Sequence, residues 1–290
     1  MNYRITHKTT YQYSDPVSLG HHQLHLACRV TPTQTARPAQ LLIEPIPTVS
    51  SSRLDAFGNP THFFSLQEPH FRLTITAINS VDLRPGPHLS PELTPSWESV
   101  CSLVHSERTQ EIFDALQFCF ESPYVPLLPD LVDYARPSFP YGRHLLTGLL
   151  DLMGRIHADF RYDTTATTLA TPVGEVLQGR RGVCQDFAHL MIGCLRGLGL
   201  PARYVSGYLR TIPPRGQPRL IGADASHAWL AVWCPGVGWI DLDPTNNVVP
   251  GDKHVTLAWG RDYDDVSPVK GVLLGGGPHT VAVGVDVALV

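Results

Sequence analysis

The run Arg84-Pro85-Gly86-Pro87-His88-Leu89-Ser90-Pro91-Glu92-Leu93-Thr94-Pro95 places four prolines in twelve residues. Proline has a fixed φ and no backbone N–H to donate, so neither a helix interior nor a central strand can cross this stretch. It reads as a linker dividing the chain into residues 1–95 and 96–290. Ahead of it, Tyr3, Ile5, His7, Thr9, Tyr11 and Tyr13 share one side of a period-two pattern, as in a β-strand. Strand-like stretches follow at 22–28, 40–46, 61–66 and 71–77, separated by turns such as Asp55-Ala56-Phe57-Gly58-Asn59-Pro60. Together they predict a β-sandwich-like first domain. After the linker, residues 107–120 and 128–135 are candidate helices. Residues 143–160 form a stronger one, with Leu145, Leu146, Leu149, Leu152, Met153 and Ile156 on an apolar stripe. Strand patterns return at 202–209, 225–233, 239–242, 254–259 and 280–289. Helices first and antiparallel strands later describe an α+β domain.

Between those two groups, Phe187, Leu190, Met191, Cys194, Leu195 and Leu198 recur at helical spacing, and Gly199 followed by Pro201 stops the helix. Cys184, in Gly182-Val183-Cys184-Gln185-Asp186-Phe187, therefore lies on the first turn. Unpaired backbone N–H groups and the positive end of the helix dipole favour a thiolate there, which makes Cys184 a candidate nucleophile. A lone cysteine on an apolar helix is more often part of the core, so its partners decide.

A thiolate nucleophile needs a base, and the base needs a third group to hold its tautomer. Of fourteen histidines, His227 stands out, because in Ser226-His227-Ala228-Trp229-Leu230-Ala231-Val232-Trp233 it shares a strand face with Trp229, Ala231 and Trp233. The turn Cys234-Pro235-Gly236-Val237-Gly238 folds this strand back on Trp239-Ile240-Asp241-Leu242-Asp243 as a hairpin. If Trp233 faces Trp239, Trp229 faces Asp243 and His227 is the diagonal neighbour of Asp243; a slip of two residues in total puts His227 and Asp243 directly opposite, and in both registers the side chains can meet. Asp241 has the same parity and stays open on spacing alone, although it lies further from His227.

Four blocks occur in order: Gly182-Val183-Cys184-Gln185-Asp186-Phe187-Ala188-His189, Leu200-Pro201-Ala202-Arg203-Tyr204-Val205-Ser206-Gly207-Tyr208, Ala225-Ser226-His227-Ala228-Trp229 and Gly238-Trp239-Ile240-Asp241-Leu242-Asp243-Pro244-Thr245-Asn246. They resemble the signatures of the bacterial transglutaminase-like family. The opening Tyr3-Arg4-Ile5-Thr6-His7 and the Asp55-Ala56-Phe57-Gly58-Asn59 turn resemble the N-terminal region that accompanies that core. The resemblance implies a papain-like α+β core in which Cys184 attacks, His227 transfers protons and Asp243, the aspartate before Pro-Thr, orients His227. Gln185 stands where animal transglutaminases carry tryptophan, and no acidic cluster resembles their calcium sites.

The expected chemistry is thiol-dependent acyl transfer at an amide bond, with hydrolysis of a peptide, protein or small amide favoured. Transfer to an amine, as in a true transglutaminase, and a non-catalytic peptide-binding module are the alternatives. The Cys184 N–H is the expected first oxyanion donor. Gln185 and Asp186 are read as helix capping, His189 as structural, Tyr208 as core, and Arg180-Arg181 as a solvated pair. The proline-rich segment from Thr211 to Pro218, just ahead of His227, is a candidate lid.

Composition excludes several other classes. A net charge of −4 without a dense basic tract argues against nucleic acid. No stretch reaches the roughly 18 apolar residues of a membrane span, and the polar, alternating N-terminus predicts a cytoplasmic location. Six cysteines without a CxxC pair give no support to a zinc site, and no cofactor is expected. The histidines of His21-His22-Gln23-Leu24-His25 do not converge simply on a strand, and Gly275-Gly276-Gly277 lacks the Lys-Ser/Thr of a phosphate loop.

Overall fold

The alternation from Tyr3 to Tyr13 belongs to a strand longer than its pattern, β1 (Asn2–Leu24). The computed structural model describes residues 1–86, 89–211 and 225–290. Tyr3, Ile5, His7, Thr9 and Tyr13 are all buried on one face of β1. Pro16 cannot donate to a ladder, and the pairing of β1 with the strand over His70–Leu83 shifts register between Gln12 and Val17. The strand therefore serves two stretches of sheet. Five more strands follow in the first unit: β2 (Gln34–Ala36), β3 (Gln40–Glu44), β4 (Val49–Leu54), β5 (Pro60–Leu66) and β6 (His70–Leu83). The first half of β1 pairs with β6 and its last residues with β5.

Helices α1 (Trp97–Ser106), α2 (Gln110–Leu116), α3 (Pro129–Ala135) and α4 (Leu145–Asp159) come next. The expected helix over 107–120 is thus shortened to α2, which starts at Thr109, whose side chain accepts from Ile112 N–H, and ends in a 3-10 turn over Gln117–Cys119; α1, capped by Ser96 accepting from Ser99 N–H, lies ahead of that span. A short parallel pair, β7 (Arg161–Tyr162) and β8 (Arg181–Gly182), flanks α5 (Val173–Gly179) and leads into α6 (Cys184–Gly197). The second sheet has the order β11-β10-β9-β12, from β9 (Ala202–Leu209), β10 (Ala225–Cys234), β11 (Gly238–Leu242) and β12 (His254–Gly260). After the short helix α7 (Tyr263–Val266), β13 (Val269–Gly275) and β14 (His279–Leu289) return to pair with β1, making the first sheet eight-stranded and antiparallel. Residues assigned by sequence to 96–290 thus complete the sheet begun in 1–95. Gly275, Gly276 and Gly277 form the turn between β13 and β14, all with positive φ.

One apolar core runs through both units. Tyr3, Ile5 and Val287 of the first sheet join the helices and the second sheet in a single buried cluster. The edge strand β12 is covered by two side-chain amides that imitate a neighbouring strand. Gln34 donates Nε2–H to Thr256 O (2.7 Å) and accepts from Thr256 N–H (2.9 Å). Asn59 donates Nδ2–H to Trp259 O (2.8 Å) and accepts from Trp259 N–H (3.0 Å). The Asp55–Asn59 turn therefore docks the first unit onto the second. Asn59→Ala leaves both backbone groups of Trp259 without these partners and is expected to cost about 2–4 kcal/mol. An unchanged urea midpoint and slope would rule out this latch.

Candidate active site

Helix α6 is buried on nearly all sides, from Gln185 to Arg196, so it is a central helix rather than an amphipathic one with one wet face. Gly193 and Gly197 admit α3 closely: a Cβ there would lie 2.7 Å from Leu131 Cδ1 and 2.5 Å from Val132 Cγ2. Arg196, buried in the same helix, spends its donors on the Ala202, Phe120 and Arg261 carbonyls and Ser122 Oγ. Asp186 accepts from Val183 N–H at the start of α6 (2.8 Å) and from Thr167 Oγ1–H (2.6 Å), as the capping reading expects. The first intrahelical bond runs from Phe187 N–H to Val183 O. The N–H groups of Cys184 and Gln185 precede it, and Cys184 itself is partly exposed.

Of the two registers open from sequence, the hairpin takes the one with Trp233 opposite Trp239 and Leu230 opposite Leu242. His227 Nε2–H donates to Asp243 Oδ2 at 2.8 Å. Asp241 instead accepts from Trp229 Nε1–H through Oδ1 (3.2 Å), so geometry separates the two aspartates that parity left open. Asp243 is fully buried and richly bonded. Its Oδ2 also accepts from Asn246 Nδ2–H (2.7 Å) and His254 Nε2–H (3.0 Å), while Oδ1 accepts from the backbone N–H groups of Thr245 and Asn246. Burial disfavours the Asp243 carboxylate, but these bonds outweigh it and hold its pKa well below the usual carboxylate range.

Burial likewise disfavours the imidazolium of His227, yet hydrogen bonds to Asp243 and Cys184 and the charges of both raise its pKa to about 9. With Nε2 engaged by Asp243, Nδ1 is the nitrogen left for Cys184. Cys184, partly exposed, thus lies near enough to His227 to act on its charge, and His227 is bonded to the buried Asp243 carboxylate.

Asn246 and His254 had no role assigned from sequence. Asn246 sits on a turn closed by paired bonds between Asp243 and Val248, and the Asp-Pro-Thr-Asn string is its only local signal. His254 comes from β12 and had no such cue. The donor atoms of His227, Asp243 and His254 lie within 4.8 Å of one another, the set among the described residues that could hold a metal. Both ring nitrogens approach the same carboxylate oxygen at hydrogen-bond distance, 2.8 and 3.0 Å, so a shared hydrogen-bond acceptor accounts for the arrangement.

The remaining residues singled out by sequence have structural partners. His189 accepts from Tyr263 N–H, stacks on Tyr124, and is held neutral by burial, with a pKa lowered to about 3. Tyr208 is buried with its hydroxyl 3.0 Å from His7 Nδ1. Arg180 and Arg181 are exposed, Arg180 resting against the Tyr134 and Phe160 rings. His21, His22 and His25 diverge, to Ser65 Oγ, the Phe64 ring and Ser267 O. Of the candidate lid, all but Thr211 lies outside the described residues.

Residues 3–82 match the bacterial transglutaminase-like N-terminal region, and residues 143–244, spanning Cys184, His227 and Asp243, match the transglutaminase-like superfamily core. An uncharacterized protein of Mycobacterium tuberculosis is 42% identical over 297 residues, covering 98% of this chain and 92% of the relative. A protein-glutamine gamma-glutamyltransferase of Pseudomonas aeruginosa is 34% identical over 123 residues, 41% of this chain but 18% of that protein. The crystal structure of a candidate cysteine protease from Cytophaga hutchinsonii superposes with a TM-score of 0.76 at 22% identity, covering 99% of this chain and 90% of that one. The chain belongs to the transglutaminase-like superfamily, with the bacterial N-terminal region ahead of a papain-like core.

Proposed function

We propose that the protein is a thiol-dependent acyl-transfer enzyme acting on amide bonds, with Cys184, His227 and Asp243 as its catalytic residues. The observation that supports this reading is the 2.8 Å bond from His227 to the buried Asp243 carboxylate, with Cys184 near enough to help raise the His227 pKa. In the first half-reaction Cys184 Sγ attacks the amide carbonyl, and the electron pair of the C–N bond leaves with the amine, which takes a proton from His227 Nδ1. Neutral His227 then removes a proton from the second nucleophile, which attacks the thioester and returns Cys184. The Cys184 N–H at the helix start supplies an oxyanion donor.

Water as second nucleophile makes the enzyme a protease or amidase, and this is the favoured reading. An amine would make it a transglutaminase, a second reading motivated by the name of the Pseudomonas relative. The substrate proposed is a peptide, protein or small amide, and the location proposed is the cytoplasm, where six free thiols are at home.

The deciding experiment incubates the protein with peptides and glutamine donors, with and without an amine acceptor, and reads the products by mass spectrometry. Cleavage or deamidation supports hydrolysis, and amine incorporation with ammonia release supports transamidation. No turnover of any amide would sink both in favour of a binding module. The raised His227 pKa sets the alkaline limit: the imidazolium that protonates the leaving amine is present below about pH 9 and lost above it. Turnover is expected to fall as pH rises through that value. An alkaline limb near the ordinary histidine value of about 6.5 would contradict the assignment.

A further inference from the structure

On the face of the second sheet turned towards the first unit lies a cavity of about 660 Å³, whose walls include Phe57, Trp229, Trp239, Trp259 and Arg203. Its size falls in the range of small-molecule sites. Arg203 is its unusual member. The side chain is only 7% exposed, yet its Nε–H has no acceptor among the described residues. Leaving a guanidinium donor buried without an acceptor is costly. The guanidinium carbon lies 4.0 Å from the Trp239 ring centre and 3.6 Å from that of Trp259. Those rings occupy positions on the π faces that an acceptor cannot use, so an anion must approach in the guanidinium plane.

We propose that this cavity is a binding site for a small carboxylate on an apolar or aromatic body, with the carboxylate taken in plane by Arg203. Planar, two-point recognition is the property that distinguishes arginine from lysine as a carboxylate partner. The tryptophan and phenylalanine walls suit a flat apolar body. Asp241, on the same wall and close enough to Arg203 to influence its charge, favours a monoanion over a dianion such as phosphate. Burial lowers the Arg203 pKa to about 9, so the group still carries its charge at neutral pH.

The site is separate from the thiol but shares a wall with the residues behind it. His254 lines the cavity and donates Nε2–H to Asp243 Oδ2, while its own Nδ1 is buried without a partner. A ligand here therefore sits one side chain away from the carboxylate that orients His227. The binding claim does not depend on acyl transfer at Cys184.

The test is calorimetric titration of the full chain with 3-phenylpropanoate, with the neutral alcohol 3-phenylpropan-1-ol, and with inorganic phosphate. The carboxylate is expected to bind one to one with a Kd below about 1 mM, and the alcohol about tenfold or more weaker. Phosphate is expected not to compete, and Arg203→Lys should remove most of the preference for the carboxylate. Prior alkylation of Cys184 with iodoacetamide should leave binding intact. Equal affinity for carboxylate and alcohol, competition by phosphate, or loss of binding on Cys184 alkylation would each overturn the proposal. The carboxylate-against-alcohol comparison uses the unmodified protein, so it decides the matter even if the Arg203 variant fails to fold.

Discussion

Cys184→Ala is expected to reduce amide turnover by about 10⁴-fold or more, to the uncatalysed background, because no other described group can form the acyl-enzyme. The other five cysteines are unsuited to the task. Burial pushes Cys101 and Cys234 up to about 11, Cys119 and Cys194 to about 12, and Cys28 further still. They remain thiols at neutral pH; Cys184, by contrast, is partly exposed at a helix start and near enough to His227 to act on its charge. Limiting iodoacetamide near neutral pH should therefore label Cys184 first, and the alanine variant should resist labelling while keeping its unfolding midpoint. The substitution also removes one of the influences that raise the His227 pKa. Its titration, followed by NMR, should move below about 9 while Asp243 still holds it above the ordinary value. Residual turnover above about 1% of the parent would displace Cys184 from the mechanism.

The parts of this site that could be read from sequence share a physical cause: each is fixed by local periodicity. Cys184 is located by a helical stripe with a Gly199 and Pro201 stop, and His227 and the pair Asp241 and Asp243 by the parity of one hairpin, whose observed register has Trp233 opposite Trp239, while the choice of Asp243 over Asp241 comes from the resemblance. Asn246 and His254 are different, because their contacts with Asp243 depend on a returning turn and on a strand reached through another fold element. No period in the chain encodes that approach. The same holds for the fold. The alternation in 280–289 identified a strand, but its pairing with β1, nearly the whole chain away, is a tertiary choice. Gln34 and Asn59 were invisible as latches for a related reason, since a polar residue in a turn or short strand carries no mark of the edge it will cover.

Asp243→Asn is expected to lower turnover by about 10³–10⁴-fold while leaving the nucleophile in place. The carboxylate is an acceptor on both sides, taking three side-chain donors at Oδ2 and two backbone donors at Oδ1. An asparagine has one oxygen to offer, so its NH₂ must face one of these two sets. The backbone N–H groups of Thr245 and Asn246 cannot change their hydrogens, whereas an imidazole can change tautomer. The amide therefore turns its NH₂ towards His227 and His254. His227 Nε2 becomes an acceptor, its proton moves to Nδ1, and the atom facing Cys184 can no longer take the thiol proton. Removing the charge also withdraws a main support of the raised His227 pKa, so the residual alkaline limb should shift from about 9 towards the ordinary histidine value. A purely structural role for Asp243 would lower the amount of folded enzyme without moving that limb. A variant that keeps both its turnover and its limb near pH 9 would show that Asp243 does not orient the base.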